Sequence, residues 1–439
     1  MDLTSRLRAI VNGGPPRSDH TAGQPIRELT YEPDDGYHHG APLDLDRVAA
    51  ALGGRRVSTR FGECLVIDRR YEAERWHGDI RVGECVIEDI ESLRLLDPAL
   101  SGAAGTPRTI FIDLETTGLS GGAGTLAFLV GCGYFDLGAF QVRQFLLTSH
   151  AGERALLAAV AEFFDDADLI VTYNGKTFDV PVMETRWSFH RMAMPLDGVP
   201  HFDMLHPARR LWKNRGTDST DDAGCRLSTL ERTLFDVQRV GDVPGFEIPG
   251  RFFGFVRNGD ARPLEPVLEH NRIDLVSLAA VTARAVLLTQ QGHEACRDNA
   301  EALALGKVYE RTEHSGRAEA CFRRAADSPD SVIRADALYR LAVRLRRDRR
   351  FADAASTWRD LIEFTAPRSM RRGLLGELRR VAVEALAIHH EHRAKDLAGA
   401  RELALASLEE SGGRTEKARH RLARLDRKLA RRNDAQLFF

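Results

Sequence analysis

An α/β domain with a mixed sheet, followed by an all-α domain of repeated helical hairpins, is the fold class that this 439-residue sequence predicts. Three observations carry that prediction. Apolar residues make up 43% of the chain and charged ones 29%, the mixture of a protein that buries a core rather than of a disordered chain. Between residues 105 and 290, short β-branched runs alternate with helical patterns. Beyond residue 290 the β-type runs stop, and small, leucine and aromatic residues recur with a spacing of 36. At about 150 residues per domain the length fits two or three domains. We place them at 1–104, 105–290 and 291–439.

Taken in order, residues 12–41 hold Gly-Gly-Pro-Pro, Asp-Asp-Gly and Gly-Ala-Pro, an irregular lead-in. Short β-type runs at Cys64-Leu-Val-Ile and Cys85-Val-Ile predict a small β-rich N-terminal unit over 56–95. Asp97 to Arg108 is rich in Gly, Ala, Ser and Pro and marks a boundary. Thr109-Ile-Phe-Ile-Asp-Leu-Glu then has the length and composition of a buried strand. Further strands are expected over 125–134, 141–147 and 169–173, with helices over 153–164, after Asp179, and over 266–288; residues 214–225 read as a loop. In the last domain Leu305-Gly306, Tyr309, Ala318, Phe322, Ala325 and Pro329 follow the order of a tetratricopeptide unit. Leu341-Ala342, Leu345, Ala354, Trp358 and Leu361 form a second copy, and Ala387, Ala400 and Ala404 mark a weaker third. A final helix, with Ala418, Leu422, Leu425 and Leu429 on one stripe, suits a cap.

Lys and Arg number 62 against 64 Asp and Glu, a net charge of −2 that excludes a wholly basic nucleic-acid coat protein. The balance is uneven: residues 301–439 hold 30 basic and 21 acidic side chains, the first 300 hold 32 and 43. The N-terminal Met-Asp-Leu-Thr-Ser-Arg-Leu-Arg lacks an apolar core, and the most apolar stretches, 125–135 and 275–288, fall short of a membrane span. A soluble, cytoplasmic protein without a membrane partner is expected. Six scattered cysteines without a C-x-x-C pair indicate reduced structural thiols.

The candidate chemistry lies in three pieces. Asp113 and Glu115 end the first strand of the α/β domain, and alternation turns them to one face. Such a pair is either a solvated strand end or a site that shares a proton or a cation. Thr116-Thr117-Gly118 follows as a tight turn able to offer backbone N–H groups to a ligand oxygen. The second piece is Asn174-Gly-Lys-Thr-Phe-Asp-Val-Pro181, where Asp179 is either an N-cap or a ligand. In the third, His270-Asn-Arg-Ile-Asp274, the first and last residues share one face of the long helix, as an ion pair or as part of a site.

Together, and in this order, the three motifs resemble the DEDD family of 3′–5′ exonucleases on the ribonuclease H-like fold. The resemblance implies that Asp113, Glu115, Asp179 and Asp274 bind two divalent metal ions, Mg²⁺ or Mn²⁺. Hard cations prefer such oxygen ligands, and a pair of them activates water and stabilises a leaving oxygen. It further implies that Thr116, Thr117 and Gly118 hold the terminal nucleotide and that Asn174 braces the second motif. His270 stands four residues before Asp274, the spacing of the tyrosine subclass rather than that of the histidine subclass. It is therefore either the general base for water or a structural or substrate contact. Gly118-Leu-Ser-Gly-Gly-Ala-Gly-Thr-Leu-Ala-Phe-Leu-Val-Gly, Phe202-Asp-Met-Leu-His-Pro-Ala-Arg-Arg-Leu-Trp and His390-Glu-His-Arg-Ala-Lys-Asp are similar to bacterial YprB-type proteins, which join such a domain to C-terminal tetratricopeptide repeats.

Other patterns carry less. His389, His390 and His392 are too close together on a helix to converge on one ion. Asp203 reads as orienting a neighbouring element, and Gly121 to Gly124 lack the Lys-Ser/Thr of a phosphate loop. Basic clusters at 344–350, 371–380 and 414–432 are solvated helix faces or phosphate-tracking surfaces. The expected function is metal-dependent 3′–5′ exonuclease cleavage of single-stranded DNA or RNA, with the repeats binding nucleic acid or a protein partner. The alternatives are a structure-selective endonuclease and a scaffold with an inactive nuclease-like domain.

Overall fold

A computed structural model describes residues 44–100, 107–118, 124–213, 225–410 and 416–436. The lead-in at 12–41, the glycines at 121 and 122 and nearly all of the loop expected at 214–225 lie outside the described residues. Helix α1 (Leu45–Leu52) begins where the Asp44 carboxylate accepts from the backbone of Asp46 and Arg47, and ends at Gly53, whose φ of 62° suits glycine. Strands β1 (Arg55–Thr59) and β2 (Gly62–Tyr71) form a hairpin; β3 (Trp76–His77) and β4 (Ile80–Arg81) form a minimal one, followed by α2 (Ile90–Leu96). Then come β5 (Thr109–Thr116), β6 (Ala127–Asp136), β7 (Ala139–Leu146), α3 (Glu153–Phe164), β8 (Leu169–Thr172), α4 (Asp179–Phe189), β9 (His201–Asp203), α5 (Leu205–Trp212), α6 (Leu227–Phe235), α7 (Ile248–Asn258) and α8 (Glu265–Gln291).

Seven strands make one mixed sheet in the order β1-β2-β7-β6-β5-β8-β9. β5, β8 and β9 run parallel; the other neighbours are antiparallel. Strand β5 is an interior strand, and Ile110, Phe111 and Ile112 are at most 1% exposed, which is why it reads as an unbroken apolar run. Strand β2, from the segment that sequence assigned to a small N-terminal unit, pairs onto β7 from Leu65 opposite Leu146 to Tyr71 opposite Phe140 and carries β1 on its other edge.

Helix α8 packs along this sheet and is buried on nearly all sides from Leu275 to Leu288. By length and composition it is apolar enough to cross a membrane, contrary to the sequence expectation, but 78% of its most apolar window is buried inside the protein. Apolar content on all faces is the mark of a core helix as much as of a membrane span, so composition alone does not separate them.

After α8 the described chain is helical: α9 (Asn299–Arg311), α10 (Ser315–Ala326), α11 (Ser331–Arg347), α12 (Phe351–Phe364), α13 (Gly373–His389), α14 (Leu397–Glu410) and α15 (Glu416–Gln436). Every repeated small or aromatic position is buried, from Leu305, Tyr309 and Phe322 to Trp358, Ala387 and Ala404. Gly306 lets α9 and α10 close up, since a Cβ there would stand 2.6 Å from the Phe322 ring. A π turn at His390–Ala394, closed by Lys395 at φ 57°, interrupts the third pair. One apolar core runs from Phe111 and Phe140 through Leu275 and Leu288 to Tyr309 and Phe322, so sheet and first helical pair share it. All six cysteines are buried.

Candidate functional site

Asp113 and Glu115 lie near the end of β5 and face the start of α8. Across the ladder Asp113 stands opposite Gly131, and Gly131 opposite Gln144. A Cβ at Gly131 would collide with the carboxamide of Asn271, so the glycine opens the space through which that side chain reaches β5. Asn271 Nδ2 donates to Asp113 Oδ2 at 2.7 Å and to its carbonyl at 3.1 Å. Its Oδ1 accepts from Gln144 Nε2 at 2.8 Å, and the same amide donates to the Leu268 carbonyl. Both amides are fully buried, so each bond replaces water that is absent.

The second motif is a turn between β8 and α4. Asn174 takes φ 66°, and Gly175 fits beside Thr172, where a Cβ would clash with its side chain. The Asn174 carbonyl accepts from Thr177 N and Phe178 N within this turn, and Asp203 at the end of β9 holds it from outside. Its carboxylate, 1% exposed, accepts from the backbone of Asn174 (2.8 Å), Lys176 (3.1 Å) and Leu205 (3.1 Å). Asp179 opens α4, where an acid suits the helix dipole. Thr116 Oγ1 donates to the Gly118 carbonyl, and the Thr117 N–H, which sequence offered to a ligand oxygen, is taken by the Leu126 carbonyl at 3.0 Å. The Thr117 hydroxyl accepts from Leu126 N in return, which closes the end of the β5–β6 pair.

On α8, His270 Nε2 stands 3.5 Å from Asp274 Oδ2 and 4.0 Å from Glu115 Oε1. Its Nδ1 meets Asp242 Oδ1 at 2.6 Å. Arg239, from the irregular segment after α6, donates to Asp274 Oδ1 and reaches Asp242 Oδ2 at 3.3 Å. The buried Glu231 holds this guanidinium at 2.5 and 2.8 Å, and also accepts from Ser277, whose hydroxyl meets His77 Nε2 at 2.8 Å.

Negative charge is concentrated here. Burial first, and then Asp274, Glu115 and Asp179, push the Asp113 carboxyl well above its ordinary range, although the Asn271 amide works against them. Burial, Asp274, Asp179 and Asp242 do the same to Glu115. Burial pushes Asp179 up to about 7, while its own and the Leu114 backbone N–H pull it down. Asp242 differs: burial opposes ionisation, but His270 and Arg239 hold it below the usual carboxylate range. The four sequence-predicted acids thus lie within electrostatic reach of one another, and the His270 ring touches the group.

Among the described residues no three His, Cys, Asp or Glu side chains are already closed round a single ion position. The donor set nevertheless fits hard divalent cations: the acids are carboxylates, Asp274 and Asp179 push the Asp113 and Glu115 carboxyls up, and Asp274 already draws a guanidinium. Sequence reasoning missed Asn271, Gln144, Arg239 and Asp242. Asn271 lies within the third motif, between His270 and Asp274. Arg239-Val-Gly-Asp242 lies in an irregular stretch whose pattern carries no signal beyond a Gly turn.

The RNase_H_2 profile of the RNase_H superfamily matches residues 110–286, from β5 into α8. The chain is also similar to a protein of Bacillus subtilis (strain 168) titled Uncharacterized protein YprB. The two are 31% identical over 382 residues, which is 84% of this chain and 86% of that protein.

Proposed function

We propose that this chain, which belongs to the family of the Bacillus subtilis protein YprB and carries an RNase_H superfamily domain, is a metal-dependent nuclease. The observation that carries the reading is the cluster of Asp113, Glu115, Asp179 and Asp274, acids that destabilise one another unless positive charge joins them. These four would hold two divalent ions, Mg²⁺ or Mn²⁺, which when bound lower the pKa of water and stabilise the leaving oxygen of a phosphodiester. Asn271 fixes Asp113, and Asp203 fixes the turn ahead of Asp179. His270 points Nε2 at the acids, where it takes the proton of the attacking water.

The finer reading is DEDD-type 3′–5′ exonuclease action on single-stranded DNA or RNA. The motif order supports it, and so does Phe178, 49% exposed beside Asp179, an aromatic face on which an unpaired base can stack. The helices from α9 onward act, in this reading, as tetratricopeptide-type repeats that bind nucleic acid or a protein partner, with domain limits at 104 and 290.

Digestion of 5′-labelled single-stranded DNA and RNA with Mg²⁺ or Mn²⁺ tests the proposal. The wild type should shorten one of them from the 3′ end, and Asp113→Ala should lose on the order of 10³-fold in rate. Equal activity of the two would sink the assignment. Cutting of a closed circle would move it to an endonuclease. The contact of Arg239 with Asp274 favours a second reading, an inert domain in which the guanidinium takes the place of a cation. Calorimetric titration with Mn²⁺ decides between them, because an inert domain binds none through these acids.

A further inference from the structure

We infer that Asp242 is the positioning residue of His270, holding its ring with the proton on Nδ1 and the Nε2 lone pair turned to the attacking water. The inference rests on the nuclease reading and adds to it a residue outside the three motifs. The two ring nitrogens have different surroundings. Nδ1 is 2.6 Å from Asp242 Oδ1, a short hydrogen bond to a group that, when ionised, only accepts. That nitrogen therefore carries the hydrogen, and in the neutral ring Nε2 is left as the acceptor. At 3.5 Å from Asp274 and 4.0 Å from Glu115, Nε2 makes no hydrogen bond of its own, and its lone pair lies beside the acids that would hold the metal ions.

Asp242 is itself held firmly. Its Oδ1 accepts from the Val243 N–H at 2.9 Å, and Arg239 reaches its Oδ2. Arg239 is clamped by Glu231, a side chain on α6, and joins Asp242 to Asp274. One guanidinium thus sets the distance between the carboxylate that orients the base and an acid of the cluster. This arrangement answers the spacing problem of a histidine one turn before Asp274. The ring need not find its place by packing on α8 alone, because a second element carries its tether.

In the step this serves, water gives a proton to Nε2 while its oxygen bonds to phosphorus. The bond from phosphorus to the 3′ oxygen of the neighbouring nucleotide breaks, and that oxygen takes a proton from solvent. One water is consumed and a nucleoside 5′-monophosphate is released. The Asp242 carboxylate then faces an imidazolium, whose charge it stabilises.

The experiment compares the full-length wild type with Asp242→Ala, Asp242→Asn, His270→Ala, the double variant Asp242→Ala/His270→Ala, and Asp113→Ala as reference. On a single-stranded oligonucleotide Asp242→Ala should lower kcat about 10–100-fold with KM nearly unchanged, within the range of lost general-base catalysis. Asp242→Asn, which keeps an acceptor oxygen, should recover part of it. The double variant should be no slower than His270→Ala, since two residues acting as one unit do not add. Nitrogen NMR of labelled histidine should show the Nδ1-protonated form of His270 in the wild type and its loss in Asp242→Ala, with Mn²⁺ affinity and Tm little changed. Independent, multiplying losses, or a loss of stability without a fall in kcat, overturn the role. An active His270→Ala beside a dead Asp113→Ala overturns it too and leaves the nuclease reading standing. A wild type that cleaves nothing removes both.

Discussion

In the helical region acidic side chains are paired across helices, whereas at the end of β5 they face one another. Glu391, 2% exposed, receives Arg424 at 3.0 and 2.6 Å and Lys428 at 2.8 Å from α15. Arg379 joins Glu410 at 2.7 Å, and Arg340 ties Asp336 to Glu310. These charges act as cross-braces between helices, some of them reaching past an intervening helix. Asp113, Glu115 and Asp179 are held above the ordinary carboxylate range by burial and by other acids, with Arg239 touching Asp274. The difference teaches which acids serve the fold. Those of the helical region stabilise it, while those of the cluster cost stability and so mark a place built for something other than the fold.

The contrast breaks most directly at Asp179, where the largest effect is expected. Its folded pKa of about 7 lies above the ordinary carboxylate value, so between about pH 4 and 7 the folded state binds more protons than the unfolded one. Stability then falls as pH rises through that window, and Asp113 and Glu115 add in the same direction. In a chelator, Tm should drop from pH 5 to pH 8. Asp179→Asn should stabilise the fold at pH 8 by on the order of a few kcal/mol and so raise Tm, and Mg²⁺ or Mn²⁺ should likewise raise the Tm of the wild type. A wild type that grows more stable towards pH 8 without metal would erase the distinction between the two regions.

What sequence could foretell follows the same division between local and distant causes. Strand β5 and helix α3 were legible because a buried strand and an amphipathic helix are written in their own residues, as Thr109-Ile-Phe-Ile and Glu153 to Phe164 show. The buried helical positions were legible through their repeat. The pairing of β2 with β7 was not, because a strand's partner is not encoded in its own alternation. Nor were Asp242 and Gln144: each acts on a residue 28 or more positions away, and Asp242 lies in a segment too irregular for a pattern. The acids themselves stood out only because their motifs occur in a known order, and the neutral residues that hold them did not.

Gly131→Ala sharpens the comparison at a finer level. It changes no charge, yet the added methyl meets the Asn271 carboxamide and drives it from Asp113. Both Asn271 and Gln144 then lose buried partners. A loss of about 1–3 kcal/mol is expected, as for overpacking elsewhere, together with reduced nuclease activity. Thermal unfolding beside the activity assay checks it. Within one cluster, then, removing an acid's charge should stabilise and displacing its neutral partner should destabilise. An alanine variant as stable as the wild type would show that the Asn271 bridge is not what keeps Asp113 in place.

Glu391→Gln carries the opposite sign from Asp179→Asn, with the smallest expected effect. Burial works against the Glu391 charge, but Arg424 and Lys428 outweigh it and hold the carboxyl down at about 2. A depressed folded pKa stabilises above the unfolded value and is lost as pH falls towards 2, the reverse of the Asp179 window. Removing the charge should cost about 1–2 kcal/mol at pH 7. The value stays below that of a sealed ion pair because Arg424 and Lys428 are 47% and 44% exposed and recover water when released. The cost should shrink as pH falls below the unfolded value of about 4 and vanish only below about pH 2, where the folded wild-type carboxylate takes up its proton, and nuclease activity at neutral pH should be retained. Urea unfolding at pH 7 and pH 3 measures the difference. If Glu391→Gln instead stabilised the chain, the helical pairs would be no better matched than the cluster, and charge would no longer tell a bracing site from a binding one.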